Sequence, residues 1–278
     1  MKKVLCKSVQ GRDLVVYGNF LPMAESGIGK KRNQPLTLLI GGTHGDERAT
    51  VPILENFIKR YLETGKIKMP TVVISLLNPD GFEQNTRFNA RGVDLNRNFP
   101  HNWSPHSEEP SGSSPLSEPE AKGLYDFIMD VKPDKIVSLH WALAEIDADG
   151  THSNPLASAM WNAMTVEQKL PYRLRVEAEP TGDEVTCPGS LGQWCGNSLV
   201  YPDNRRPAMV TLELPHHPHF HSRPDALPAG HLAEVRNWWH RRPQDYLSGV
   251  EGPVHRQLET ACHFLENDTH SSVKAFFS

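Results

Sequence analysis

The stretch Leu36-Thr37-Leu38-Leu39-Ile40-Gly41-Gly42-Thr43-His44-Gly45-Asp46-Glu47-Arg48 sets how the rest of the chain is read. Its first five residues form a short, continuous apolar run, the mark of a buried strand. Beyond it, from Ala49 to Leu62, the residues Val51, Ile53, Leu54, Phe57, Ile58 and Leu62 recur at helical spacing. The glycines therefore fall on a strand-to-helix turn, where they let the backbone fold sharply. His44 and Glu47, three apart at the start of a helix, can face one point in space. An imidazole and a carboxylate suit Zn²⁺, and a catalytic zinc site takes three protein ligands with a fourth position left for water. A solvated helix start can carry the same His-x-x-Glu pair, so the metal reading needs a third ligand from elsewhere.

Outward from this turn, three more apolar runs read as strands. Thr71 to Leu77 stops at the turn Asn78-Pro79-Asp80-Gly81, Lys135 to Leu139 stops at His140, and Ala208 to Leu212 stops at Glu213. Residues 4–20 alternate around Gln10-Gly11-Arg12 like a hairpin, and Ser26 to Pro35 reads as a surface loop. Ser117-Glu118-Pro119-Glu120 opens a helix that runs through Leu124, Phe127, Ile128 and Val131. Further helices are expected over 155–170, 227–241 and 253–266. Residues 101–119, rich in Pro, Ser and Glu, form a long excursion of the kind that is more often functional than idle. Strands alternating with helices predict an α/β fold, a mostly parallel twisted sheet with helices on both faces. One domain is expected over 1–278, with short strands in 1–35, a catalytic core in 36–223 and closing helices in 224–278.

Composition narrows the partners. Of 278 residues 38% are hydrophobic and 22% charged, an ordinary globular balance. The net charge of −4 comes without a basic block, which argues against nucleic acid. No stretch approaches the ~20 apolar residues of a membrane helix. Met1-Lys2-Lys3 begins like a signal peptide but has no apolar segment behind it, so a cytoplasmic protein is expected. The cysteines Cys6, Cys187, Cys195 and Cys262 lack metal-type spacing and fit reduced thiols. That compartment argues against a Cys187–Cys195 bridge.

The polar ends of the strands carry the chemistry. In open α/β sheets ligands bind outside the carboxyl ends of the strands. Parallel strands would therefore bring His44 and Glu47, Asn78-Pro79-Asp80, His140 and Glu213 to one rim. His140 is the candidate third ligand. Alone it would read as a hydrogen-bonded core residue. Asp46, Asp94 and Glu120 are each available to fix a histidine tautomer from behind. Glu213, in isolation a strand-end glutamate, could take a proton from water beside a metal and pass it to a leaving amine. The segment from Thr86 to Pro100 holds Arg87, Arg91, Asn96 and Arg97. Arginine binds planar carboxylates with two prongs, and a guanidinium near zinc could stabilise an oxyanion.

These motifs together resemble the carboxypeptidase A-like zinc peptidases. The resemblance runs from residue 41 to residue 214 through His44-x-x-Glu47, Asn78-Pro79-Asp80-Gly81 and Gly92-Val93-Asp94-Leu95-Asn96-Arg97-Asn98-Phe99. It continues through Ser117-Glu118-Pro119-Glu120, Ser138-Leu139-His140 and Thr211-Leu212-Glu213-Leu214. Within that family the chain is most similar to bacterial murein peptide amidases, through Asn89 to Pro100 with Asn102-Trp103 after it, and through Pro188 to Cys195. The resemblance implies one zinc ion held by His44, Glu47 and His140, with Glu213 as general base and acid. Arg87 would polarise the scissile carbonyl. Asn96 and Arg97, with Arg91 beside them, would bind the substrate's free carboxylate. The substrate implied is a small peptide, a recycled cell-wall peptide cut at its γ-D-glutamyl–diaminopimelate bond in the cytoplasm. Trp141 and the His-rich Pro215 to His221 depart from the amidase pattern, the latter reading as a polar loop. A second reading is an N-acyl amino acid deacylase similar to aspartoacylase. That family shares His-x-x-Glu and Asp-Leu-Asn-Arg but not the Asn-Pro-Asp-Gly and Ser-Glu-Pro-Glu pairing. A non-catalytic peptide-binding module is a third, and it would have no need of Glu213.

Overall fold

The apolar runs at the centre of the sequence become the centre of a sheet. In the computed structural model, residues 1–19, 34–141, 143–164, 169, 172–176 and 187–214 are described. Strands β1 (Lys2–Lys7) and β2 (Asp13–Gly18) form the opening hairpin, followed by β3 (Thr37–Ile40), β4 (Thr71–Ile74) and β5 (Lys135–Trp141). Strands β6 (Glu145–Asp149), β7 (Arg173–Arg175) and β8 (Ala208–Leu214) complete an eight-stranded sheet in the order β1-β2-β4-β3-β5-β8-β6-β7. The four central strands, β4, β3, β5 and β8, are parallel to one another, while β2 and β6 flank them antiparallel. A mixed sheet with a parallel middle matches the expected fold class. The expected helices at 227–241 and 253–266, the segment Pro215 to His221 and most of the Ser26 to Pro35 loop lie outside the described residues.

Strand alternation divides the core between the two faces. Leu39, Val73, Val137, Leu139, Val210 and Leu212 pack on one face against α1 (Thr50–Phe57) and α4 (Asn154–Ala163). A π-helical turn, Ile58–Leu62, prolongs α1 and buries Ile58 and Leu62 in the same layer. Leu38, Ile40, Val72, Ile74, Ile136 and Met209 face the other way, toward α3 (Pro119–Val131) and α5 (Leu191–Gln193, continued as a π turn to Ser198). Helix α2 (Pro79–Gln84) is short and begins inside the expected turn, with Asn78 capping it through Gly81 N–H at 2.9 Å.

The second face changes character partway along. On β5 the alternation that buries Ile136 next presents Ser138 and His140, and on β8 it presents Thr211 and Glu213 after Met209. Strand β6 follows suit: Ile146 and Ala148 enter the apolar layer, while Glu145, Asp147 and Asp149 occupy the opposite face. Thr211 Oγ1 donates to Asp149 Oδ2 at 2.8 Å across that surface. His140 and Glu213 stand in register on neighbouring strands, and Glu213 is in turn opposite Glu145. A polar surface thus opens at the carboxyl end of the central strands.

Candidate metal centre

The turn between β3 and α1 is shaped by two backbone demands. Gly42 adopts φ +61°, a left-handed conformation that favours glycine. Gly45 lies so close to the Gly81 backbone that a Cβ would have no room. The chain after β3 stays zipped to the chain after β4, with Leu77 N–H to Gly41 O at 3.0 Å and Asn78 N–H to Gly42 O at 2.8 Å. His44 and Glu47 sit in this turn itself, ahead of the helix, which begins only at Thr50. Glu47 is secured by the Thr50 hydroxyl, which donates to its carbonyl at 2.9 Å.

His44, Glu47 and His140 converge. One ligand atom from each lies within 4.8 Å of the others, and all three residues are buried. Each imidazole turns its Nδ1 to one oxygen of Glu47, His44 at 2.7 Å and His140 at 3.1 Å. Behind them, His44 Nε2 meets Asp94 Oδ1 at 3.0 Å and His140 Nε2 meets Ser138 Oγ at 3.1 Å. Of the three acids expected as outer partners, Asp94 takes the role. Glu120 instead accepts from Val9 N–H and Asn89 Nδ2, tying α3 to the opening hairpin. For Ser138 the one signal in the sequence is its spacing, since Ser-x-His on a strand puts both side chains on one face.

Charge is tightly balanced here. Burial alone would pull the His44 imidazole down, but the Glu47 and Asp94 carboxylates outweigh it and push it up to about 10. Burial would raise Glu47, yet the two histidines hold it at about 2. Asp94 is likewise held well below the usual carboxylate range against its own burial by His44 and Arg87. A buried pair of imidazoles around an ionised carboxylate, each backed by an outer partner, is the three-donor set of an open divalent site with one position left for water. Two nitrogens and a carboxylate fit Zn²⁺.

Glu213 stands beside this group. Its Oε2 is buried and has no hydrogen-bond partner among the described residues. Burial raises its carboxyl, His140 opposes this and Glu47 adds to it, leaving it at about 7. A carboxyl poised there can exchange a proton near neutrality.

Arg87 reaches the centre from the other side. Its guanidinium pairs with Asp94 Oδ2 at 2.8 Å and lies 3.3 Å from His44 Nδ1 and 3.7 Å from Glu47 Oε1. Arg97 Nη2 pairs with Glu109 Oε2 at 2.7 Å, and Arg87 Nε meets Glu109 Oε1 at 3.1 Å. Glu109 comes from the Pro/Ser-rich excursion and carries no local sequence mark. Asn96 is fixed from both ends, its N–H on Asp94 Oδ1 at 2.7 Å and its Oδ1 accepting from Leu191 N–H at 2.9 Å. Arg91 turns to Glu118 Oε2 at 3.5 Å, at the head of α3. Cys187 is a free thiol that burial pushes up while Arg97 pulls it down.

The turn residues lie at the same rim, beside the His44 turn, but their side chains do not join the metal group. Asp80 accepts from Ser8 Oγ and Gln10 N–H, each at 2.9 Å, and pairs with Arg12, so it serves the opening hairpin. Asn78 caps α2 and donates to the Arg87 carbonyl at 3.3 Å. Strand β4 lies beyond β3 from β5, and its carboxyl end faces the hairpin as well as the cleft.

Asp94 invites a direct test. Asp94→Asn removes the charge that orients His44 and pairs with Arg87, and zinc affinity is expected to fall about 10–100-fold. Competition titration with a chelator checks it; unchanged affinity would mean that Asp94 is not an outer partner of the metal.

Comparison with known proteins gives concordant results. A family model described as zinc carboxypeptidase matches residues 1–190, a span that includes His44, Glu47 and His140 and stops short of Glu213. Murein peptide amidase A of Escherichia coli (strain K12) is 34% identical over 193 residues, covering 64% of this chain and 70% of that protein. The crystal structure of murein-tripeptide amidase MpaA from Escherichia coli O157 superposes with a TM-score of 0.54 at 27% identity, covering 88% of this chain and 93% of that one. Carboxypeptidase A from Helicoverpa armigera, at 16% identity, shares the fold with a TM-score of 0.64 over 99% of this chain and 69% of its own.

Proposed function

Because the chain belongs to the zinc carboxypeptidase family and is a metallopeptidase with one zinc ion as cofactor, we propose that it hydrolyses an amide bond next to a terminal free carboxylate in a small peptide, the murein tripeptide being the substrate. The observation that carries this reading is the meeting of a buried His-Glu-His group with a second, protonatable glutamate and a guanidinium. The ligands are His44, Glu47 and His140. A zinc ion there supplies a Lewis acid and makes water more acidic.

The remaining roles fall to this chain's own groups. Arg97 and the amide of Asn96 hold the substrate's terminal carboxylate, with Arg91 at the outer edge of the same segment. Arg87, anchored by Asp94, places its guanidinium where the scissile carbonyl oxygen gains negative charge. Glu213 removes a proton from the attacking water and delivers it to the departing nitrogen, so one carboxyl acts first as base and then as acid. Burial supports the second half of that cycle, because it raises the carboxyl and so favours holding the proton until the nitrogen departs.

The similarity to murein peptide amidases favours the γ-D-glutamyl–diaminopimelate bond, and a cytoplasmic site of action follows from that substrate. Among the described residues no helix is long and apolar enough to cross a membrane. Incubation of zinc-loaded protein with L-Ala-γ-D-Glu-diaminopimelate is expected to release diaminopimelate, read by mass. Arg97→Ala should raise KM by about tenfold or more, the scale of a lost charge-assisted hydrogen bond. Turnover of N-succinylglutamate in place of the tripeptide would transfer the protein to the deacylase reading.

A further inference from the structure

Arg87 and Arg97, the two guanidiniums assigned to the substrate's carbonyl and carboxylate, already share a carboxylate of this chain. Glu109 Oε2 lies 2.7 Å from Arg97 Nη2, and Glu109 Oε1 lies 3.1 Å from Arg87 Nε. A second contact, Arg87 Nη2 to Glu109 Oε2 at 3.3 Å, completes the bridge. We propose that Glu109 sets the substrate affinity and selectivity of this cleft: its carboxylate occupies the place of the substrate's terminal carboxylate, and a substrate binds by displacing it. The inference rests on the reading that Arg97 receives that group, with Arg87 beside it on the scissile carbonyl.

Charge explains why displacement is needed. Two guanidiniums face Asp94 and Glu109, with Glu47 a further carboxylate 3.7 Å from Arg87, so the pair has no surplus positive charge to offer. An incoming carboxylate gains little unless one of the two yields. Asp94 is fully buried and also bound to His44 and to Asn96 N–H, which leaves it no freedom. Glu109 is the exchangeable partner, since its side chain is 31% exposed and rests only on the arginines among the contacts described.

The backbone beneath Glu109 is fixed. The next carbonyl, Pro110 O, accepts from Asp94 N–H at 2.8 Å. Ser111 O then accepts from Asn98 Nδ2 at 2.7 Å and from the Trp103 indole at 2.9 Å. A carboxylate on a fixed post with a rotatable side chain can swing out and return without remodelling the loop. Selectivity follows, because a ligand must offer the arginines an interaction as good as the one it removes.

The test is Glu109→Gln in the zinc-loaded enzyme with murein tripeptide, alongside the same peptide with its terminal carboxyl amidated. KM for the free acid is expected to fall about five-fold, the worth of one partly screened charge pair, with the gain in KM rather than kcat. The amide should show no such gain. Calorimetric binding of the tripeptide to Glu213→Gln, with and without Glu109→Gln, should give the same shift without turnover. An unchanged or raised KM in Glu109→Gln would overturn the proposal and make Glu109 a brace for the arginines. An equal gain on the amide would overturn it too, because the competition would not be for a carboxylate. Wild-type enzyme that processes acid and amide equally would instead remove the carboxylate-docking reading beneath it.

Discussion

Replacing Glu213 with glutamine is expected to lower kcat by about 10²–10⁴-fold while zinc content stays at one ion per chain. Glutamine keeps the shape and removes the proton carrier, so metal retention separates this loss from a collapsed site. The wild-type pH profile should carry a matching signature. A general base works only when ionised, so activity falls as pH drops through its pKa. In the protein alone that value is about 7. A divalent cation nearby favours the carboxylate, so the acid limb of kcat/KM lies at or below about pH 7. Glu213→Gln should flatten that limb. A variant with zinc bound and wild-type kcat would remove Glu213 from the chemistry.

His140→Ala is expected to abolish activity by a different route, through the metal. Loss of one of the three proposed ligands leaves Glu47 facing a single imidazole and a gap on β5. Zinc at a thousandfold excess over its Kd stabilises the wild type by about 4 kcal/mol. For a chain of this size that corresponds to a Tm rise of roughly 10 °C. The variant should lose most of that rise, as read by thermal melts with and without zinc. The wild-type affinity itself should climb with pH. His44, pushed up to about 10 by Glu47 and Asp94 against its own burial, carries a proton in the metal-free protein at neutral pH. Zinc must expel it, so affinity tightens by up to about tenfold per pH unit below that value. Calorimetry in buffers of different ionisation enthalpy would count the proton, and a Tm response to zinc that survives in His140→Ala would exclude this residue as a ligand.

The sheet was readable wherever burial is two-sided. Strands β3, β4, β5 and β8 are near-continuous apolar runs because helices cover both faces. Strand β6 is not legible in the sequence because Glu145-Ile146-Asp147-Ala148-Asp149 turns every other side chain toward the polar surface, and its acids look like a loop. Strand β7, only Arg173–Arg175, is too short to show a period. The metal group was legible because its donors close strands or sit in the turn after one, where parallel order brings ends together. The same logic brings Asn78 and Asp80 to the rim, but there their side chains cap a helix and hold a hairpin rather than join the metal group. Glu109 had no signature at all. Its partners are chosen by the path of a loop, and no pairing rule along the chain connects it to Arg87 or Arg97.

The opening hairpin also has a mechanical consequence for the reaction centre. Asp80 clamps the hairpin tip to the Asn78–Gly81 corner, and the same corner holds the Arg87 carbonyl through Asn78 Nδ2, with Gly45 N–H on that carbonyl at 3.4 Å. The first strands act as a splint: a force applied at residues 8–12 arrives, two hydrogen bonds later, at the peptide that aims the Arg87 guanidinium.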